Sequence, residues 1–280
     1  MKFRRSGRLV DMTNYFLSHP HKQIPLTFFS EAYKSAKSSI SEDIAIIKEV
    51  FEEKRIGTIG TTAGATGGVT FVPTVGRSKT EELIDQLCEE LEDSERLLPG
   101  GYLYMMDVIG DPLLTLELGR VFASAFRKAN VDAVMTMATK GIPLAYAVAG
   151  HLNVPVSIVR HEHRITEGSI VSINYVSGSQ KRIQTMSLAR RSLKPNSNVL
   201  IIDDFMKAGG TIRGMMDLVT EFQSTIAGIG VLTEAVHSEE KLVDKYVSLT
   251  KLTEVDIKTK KIKVERGNLF DIPFSYEDIK

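Results

Sequence analysis

Asp203 and Asp204 stand side by side after the apolar run Val199-Leu200-Ile201-Ile202, and Phe205-Met206-Lys207-Ala208-Gly209-Gly210-Thr211 follows them. Two adjacent carboxylates suit the neighbouring hydroxyls of a ribose, which donate to them. The glycine pair and Thr211 form a short turn that opens a helix, where free N–H groups and the positive helix end hold a phosphate. A buried strand, an exposed acid pair and a backbone-rich turn together describe a socket for a phosphorylated sugar. The glycines follow neither the G-x-x-x-x-G-K-[ST] nor the G-x-G-x-x-G spacing, which sets aside the common nucleotide loops. The plain alternative is a strand–turn–helix with an incidental acidic turn.

A second segment has the spacing to join the first. Val131 to Ala138 reads as a buried strand, Thr139-Lys140-Gly141-Ile142-Pro143 as a tight loop, and Leu144 to Leu152 has helical apolar spacing. Val154 to Arg160 then reads as another strand, which completes a strand–helix–strand unit of a parallel sheet. Lys140 and Arg160 fall at the carboxyl ends of these strands, where open α/β sheets bind ligands. Both are cations suited to a diphosphate, or solvated surface charges. Ile170–Val176 and Arg182–Leu188 read as a hairpin around Ser177-Gly178-Ser179-Gln180. Gly100-Gly101-Tyr102-Leu103-Tyr104-Met105-Met106-Asp107 reads as a strand, with Tyr102 placed to cover a ligand ring or to pack at a domain edge.

The elements that must carry these residues are bounded by composition. The chain has 280 residues and a formal net charge of zero, enough for one large or two modest domains and no general affinity for polyanions. No apolar run reaches membrane-spanning length and no secretory signal opens the chain, so a cytoplasmic protein without membrane contact is expected. The single Cys88 excludes an internal disulfide and a cysteine metal cluster. His19, His21, His161 and His163 have no partners at metal spacing and read as surface residues, so no residue is assigned to a metal.

Charge is uneven within that neutral total. Between Met1 and Ile40 the bases Lys2, Arg4, Arg5, Arg8, Lys22, Lys34 and Lys37 face only Asp11 and Glu31, seven minus two or +5. A local basic face on a neutral protein fits nucleic acid, because phosphate contacts supply most of such affinity. Apolar periodicity gives one helix through Leu9, Val10, Met12, Phe16 and Leu17, and a second from Pro25 to Tyr33 with Thr27 as its N-cap. A third runs from Ser38 to Phe51, with Glu42 and Asp43 in its first turn. Two short strands, Gly57–Thr62 and Gly68–Pro73, then flank a glycine-rich tip. Three helices and a hairpin are the order of a winged helix-turn-helix. That geometry puts Lys37, Ser38, Ser39 and Ser41 in the major groove of double-stranded DNA and the tip at Gly64 and Ala65 near the minor groove. Lys2, Arg4, Arg5, Arg8 and Lys34 add a basic arm and flank. A winged helix that binds protein, or RNA, is the alternative.

The Asp203 to Thr211 loop resembles the ribose-phosphate loop of type I phosphoribosyltransferases, which bind phosphoribosyl pyrophosphate (PRPP). Nearly the whole chain, from Lys2-Phe3-Arg4-Arg5-Ser6-Gly7-Arg8 through Ala138 to Ala145 and Val171 to Gly178, resembles the purine operon repressors of Gram-positive bacteria. The fold so implied is α/β: an N-terminal winged helix over 1–73, a linker helix over 74–101, and a phosphoribosyltransferase-like effector domain with a mainly parallel sheet over 102–280. The same likeness gives the backbone of Thr139, Lys140 and Gly141 to a pyrophosphate, and makes the hairpin a mobile hood. It implies a homodimeric repressor of purine synthesis and transport genes with no obligatory cofactor and with lost transferase activity. PRPP, accompanied by Mg2+, is the inducer, and guanosine tetra- or pentaphosphate (ppGpp, pppGpp) is the competing corepressor. Lys207 stands where many catalytic members carry Thr or Ala; it adds a cation for a dense anion or is merely exposed. An active purine phosphoribosyltransferase is the alternative function.

Overall fold

The computed structural model describes residues 3–64, 67–98, 102–162, 168–176, 182–236, 241–256, 259 and 261–271. Its first unit is α1 (Arg5–Ser18), α2 (Leu26–Tyr33), α3 (Lys37–Glu53), β1 (Gly57–Thr62) and β2 (Gly68–Pro73). Met12 and Phe16 of α1, and Ile40, Ile44, Ile47 and Phe51 of α3, repeat at three- and four-residue spacing and fill one core with Phe29, Ile59 and Phe71. β1 and β2 pair antiparallel, and Ile24 bridges Val69 to add a third short run to the wing.

Three local expectations change here. Pro25, not Thr27, is the N-cap of α2, in an extended conformation that a proline ring already favours. Lys34 ends that helix with φ 50°, and its N–H returns to Glu31 and Ser30. α3 starts at Lys37 with no acid in its first turn, so Glu42 and Asp43 lie deeper in the helix than dipole stabilisation reaches.

The second unit opens with α4 (Arg77–Leu91), then β3 (Leu97–Leu98) paired with β4 (Tyr102–Leu103), α5 (Met106–Gly110) and α6 (Pro112–Ala125). Among the described residues of the strand expected from Gly100, only Tyr102 and Leu103 are thus extended. Arg96 holds this corner by bonding both Asp107 oxygens, the Glu90 carboxylate and the Tyr104 carbonyl, and Met106 already starts a helix. There follow β5 (Ala133–Met137), α7 (Gly141–Leu152), β6 (Val156–Val159), the hairpin β7 (Ile170–Val176) and β8 (Ile183–Ala189), and β9 (Asn198–Met206). α8 (Gly210–Glu221), β10 (Thr225–Ala235), β11 (Val247–Asp256) and β12 (Lys261–Arg266) complete the order. Hairpin positions 177–181 lie outside the described residues.

The main sheet has the order β12-β11-β10-β9-β5-β6, parallel except for the last antiparallel strand β12. β9 is central, and its side chains alternate between two cores. Leu200 and Ile202 pack with α4, α6 and α7, whereas Val199 and Ile201 pack with α8 and the hairpin. Burial on both faces is why this stretch reads as a continuous apolar run.

The helix of the 74–101 linker, α4, packs one face on the effector unit. Ile84, Leu87, Cys88 and Leu91 of α4 sit in the same core as α6, α7, β11 and β12. Asp85 makes two bonds of 2.6 Å to Arg266, and the Glu92 carboxylate accepts from the Val264 N–H at 3.0 Å. Burial pushes the Cys88 thiol up to about 12, so it is an inert core group. The apolar stripe of α4 needs a face to cover, and the edge of the sheet at β11 and β12 supplies it.

Candidate effector site and DNA-binding face

A cavity of about 430 Å³ opens where β5 and β9 end side by side. Asp203, Asp204, Phe205 and Thr211 line it from β9 and the start of α8, and Ala138, Thr139 and Lys140 from the loop after β5. Tyr102 and Leu103 close one side and His161 another. Adjacent parallel strands whose connections leave in different directions create such a crevice. Here α7 packs on one face of the sheet and α8 on the other.

The acid pair is not exposed as expected. β9 continues through both aspartates to Met206 beside β10, leaving Asp203 5% and Asp204 9% exposed. Burial raises both carboxyls, and the adjacent Asp204 raises Asp203 further; for Asp204 the Lys140 ammonium opposes the rise. Asp203 Oδ1 accepts from the Asp204 N–H at 3.1 Å. Gly141 sits so close that a Cβ there would lie 2.2 Å from Thr136 Oγ1 and 3.0 Å from Asp203 Oδ1, so no side chain fits between loop and acid. The Ala138–Thr139 peptide is cis.

The turn after β9 puts Gly209 at φ 85° as the N-cap of α8, a left-handed conformation that glycine adopts without strain. Met206 and Ala208 are buried, so what they present to the turn is backbone. Gly210 opens α8 with its N–H unpaired by the helix, next to Thr211. Lys207 is half-buried and does not line the cavity. Arg160 is also off the cavity wall, and its backbone exchanges two bonds with Ser187, tying the end of β6 to β8.

Sequence reasoning read His161 only as a surface residue and gave no site role to Met105, Met137 or Leu103, yet all four line the cavity. His161 follows Arg160 at a strand's carboxyl end, and the rule that singled out Arg160 applies equally to it. Its ring lies 6.2 Å from that of Tyr175 on the hairpin, whose hydroxyl donates to Gln184 at 2.8 Å.

On the winged helix, Lys37, Ser38 and Ser41 are exposed along the first turns of α3 and Ser39 is half-buried. Gly64 is exposed at the wing with φ 113° and open space around it. Lys2 and Ala65 lie outside the described residues. Arg4 is exposed, extended, and just ahead of α1. Arg5 and Arg8 are not part of a loose arm. They lie on α1 and grip Asp43 of α3, Arg5 Nε to Oδ1 at 3.0 Å and Arg8 Nε to Oδ2 at 2.8 Å. Asp43 is 1% exposed, so its charge needs partners and takes these two.

The family model described as "Bacterial purine repressor, N-terminal" matches residues 4–73, and "Phosphoribosyl transferase domain" matches 107–266. The chain is 60% identical over 268 residues to the purine biosynthesis transcriptional repressor PurR of Bacillus subtilis, covering 96% of this chain and 94% of that one. It belongs to the bacterial purine repressor family. It is also 44% identical over 96% of its length to the purine biosynthesis transcriptional activator PurR of Lactococcus lactis, covering 99% of that chain. The xanthine phosphoribosyltransferase of Levilactobacillus brevis is 35% identical over 44% of this chain and 65% of its own. Within the purine repressor architecture, the transferase match starts at Asp107, beyond Tyr102 and α4. Those two elements complete the cavity wall and the sheet cover from outside the matched region.

Proposed function

We propose that the chain is a DNA-binding transcriptional repressor of purine biosynthesis and transport genes that senses PRPP. The observation that carries this reading is a buried acid pair sharing one cavity with Thr211 at the end of a glycine-hinged turn, in a chain that also holds a winged helix. Asp203 and Asp204 accept the ribose hydroxyls. The N–H groups of the 207–211 turn, with the positive end of α8, hold the 5′-phosphate. The backbone of Thr139, Lys140 and Gly141, with the Lys140 ammonium, holds the diphosphate and its Mg2+. Guanosine tetra- and pentaphosphate carry a ribose and two phosphate clusters and compete for the same groups, with Tyr102 and Phe205 against the base.

PRPP induces by binding more tightly to the state that leaves the operator. The active form is a homodimer, which gives two half-sites. Transferase activity is absent in this reading, the site serving as a sensor. The deciding experiment is an operator gel-shift titration with and without Mg2+-PRPP, run beside pyrophosphate release from PRPP with each purine base. Release of the operator without pyrophosphate formation is expected. Turnover with adenine, xanthine, hypoxanthine or guanine overturns the sensor reading in favour of a transferase. An operon reporter fixes the sign of regulation, with derepression in a deletion strain expected and reduced expression indicating an activator.

A further inference from the structure

Behind the phosphate turn lies a buried ionic cluster that no ligand contact explains. Glu234 on β10 is paired in register with Met206, the last residue of β9, and is 4% exposed. Its carboxylate accepts from the Tyr246 hydroxyl at 2.6 Å, from the Ser248 hydroxyl at 2.7 Å and from the Lys241 ammonium, which also bonds the Tyr246 oxygen. Burial alone drives the Glu234 carboxyl upward, yet the Lys241, Tyr246 and Ser248 donors leave it below its ordinary value.

One carboxylate therefore fixes both ends of the segment from Lys241 to Tyr246. What that segment touches between its ends is the phosphate turn. The Leu242 N–H donates to the Ala208 carbonyl at 2.9 Å. Val243, 3% exposed, packs under Gly209, where a Cβ would lie 3.0 Å from Val243 Cγ2. Gly209 starts α8 from a left-handed conformation, and Val243 backs it there. Well-packed apolar groups stabilise an interior as well as a buried ion cluster does, so the cluster's distinctive contribution is to fix one geometry.

We infer that Glu234 is a positioning residue for the phosphate end of the effector site, acting through Lys241 and Tyr246 on Ala208 and Gly209. The inference rests on the effector reading above and deepens it: the turn is held ready for one 5′-phosphate before ligand arrives. The test uses the full chain as wild type, Glu234→Gln and Tyr246→Phe. Ribose 5-phosphate and inorganic pyrophosphate, each with Mg2+, are titrated calorimetrically, and operator release by PRPP is followed in parallel.

Weakening a hydrogen bond to a buried charge predicts that Glu234→Gln lowers ribose 5-phosphate affinity about tenfold or more. The PRPP concentration needed for release rises by the same factor, while pyrophosphate affinity and effector-free operator binding stay as in wild type. Tyr246→Phe, which keeps the ring and removes one donor, gives a smaller loss of the same kind. Equal loss for both half-ligands, or no loss for either, overturns the positioning role. Should Glu234→Gln fail to fold, unchanged ribose 5-phosphate affinity in Tyr246→Phe overturns it alone. A wild type that binds ribose 5-phosphate but keeps its operator in PRPP instead defeats the repressor mechanism and leaves the positioning result readable.

Discussion

Asp203 and Asp204 keep protons to higher pH than free aspartates because burial disfavours their charge. The sign follows from linkage. A carboxyl raised in the folded state contributes most below its unfolded value of 3.8, and that contribution is lost as pH climbs toward the folded value. The ligand-free protein is therefore destabilised at neutral pH by its own site. Asp203→Asn is expected to raise stability by about 1 kcal/mol at pH 7, read as a higher thermal midpoint, and to abolish operator release by PRPP. PRPP affinity in the wild type should rise with pH as the pair ionises, and a flat profile would speak against carboxylate recognition. The acid pair and its glycine turn were legible in the sequence because type and spacing carried them. Its burial was not, since strands distant in the chain impose it: β10 pairs with it in register, and the β5 side lies 66 residues away at the strand's start, as the Asn198–Asp132 bond shows. His161 was weighed only as a metal ligand and read as surface; its place at the end of β6 was the signal left unused.

Among the elements, α1 and α3 show how a count of basic residues misleads. Helical periodicity was readable, as Met12, Phe16, Ile40, Ile44, Ile47 and Phe51 form one core. The pairing of Arg5 and Arg8 with Asp43 needed the helix crossing, which no local pattern encodes. The two kinds of arginine should separate in the laboratory. Arg8→Ala leaves the buried Asp43 with one partner and is expected to cost about 1–3 kcal/mol in chemical denaturation. Arg4→Ala should leave stability unchanged and flatten the dependence of log operator affinity on log salt by about 0.9 if it meets one phosphate. α4 carries a similar lesson. Its stripe of apolar residues was visible, but the partner was hidden, because β11 and β12 lie far down the chain. Leu87→Ala, at a position 1% exposed, should destabilise the effector unit by about 2–5 kcal/mol, whereas a linker helix would tolerate it.

Across the whole molecule, the two units meet at more than the covalent joint. The Val75 N–H at the joint donates to the Ser124 hydroxyl of α6 at 3.0 Å; beyond it β2 lies against α6, and His21 of the winged helix lies near His151 of α7. Burial lowers both histidines, and His151's charge lowers His21 further. Each therefore stays neutral to lower pH in the folded protein than in the unfolded chain, which takes up protons first. Stability is complete above pH 6.5 and falls as pH drops below it. A double His21→Gln, His151→Gln variant should lose part of that acid sensitivity in a thermal-shift series from pH 7.5 to 5.5. His151 also bonds the Leu116 carbonyl at 3.0 Å, which fixes the far end of α7 to α6. The near end of α7 is Gly141, wedged against Asp203. Twelve residues of helix make a rod about 18 Å long that does not shorten under load. One end of it is a wall of the cavity and its other end carries His151 beside the DNA-binding unit, so a single rigid element borders both.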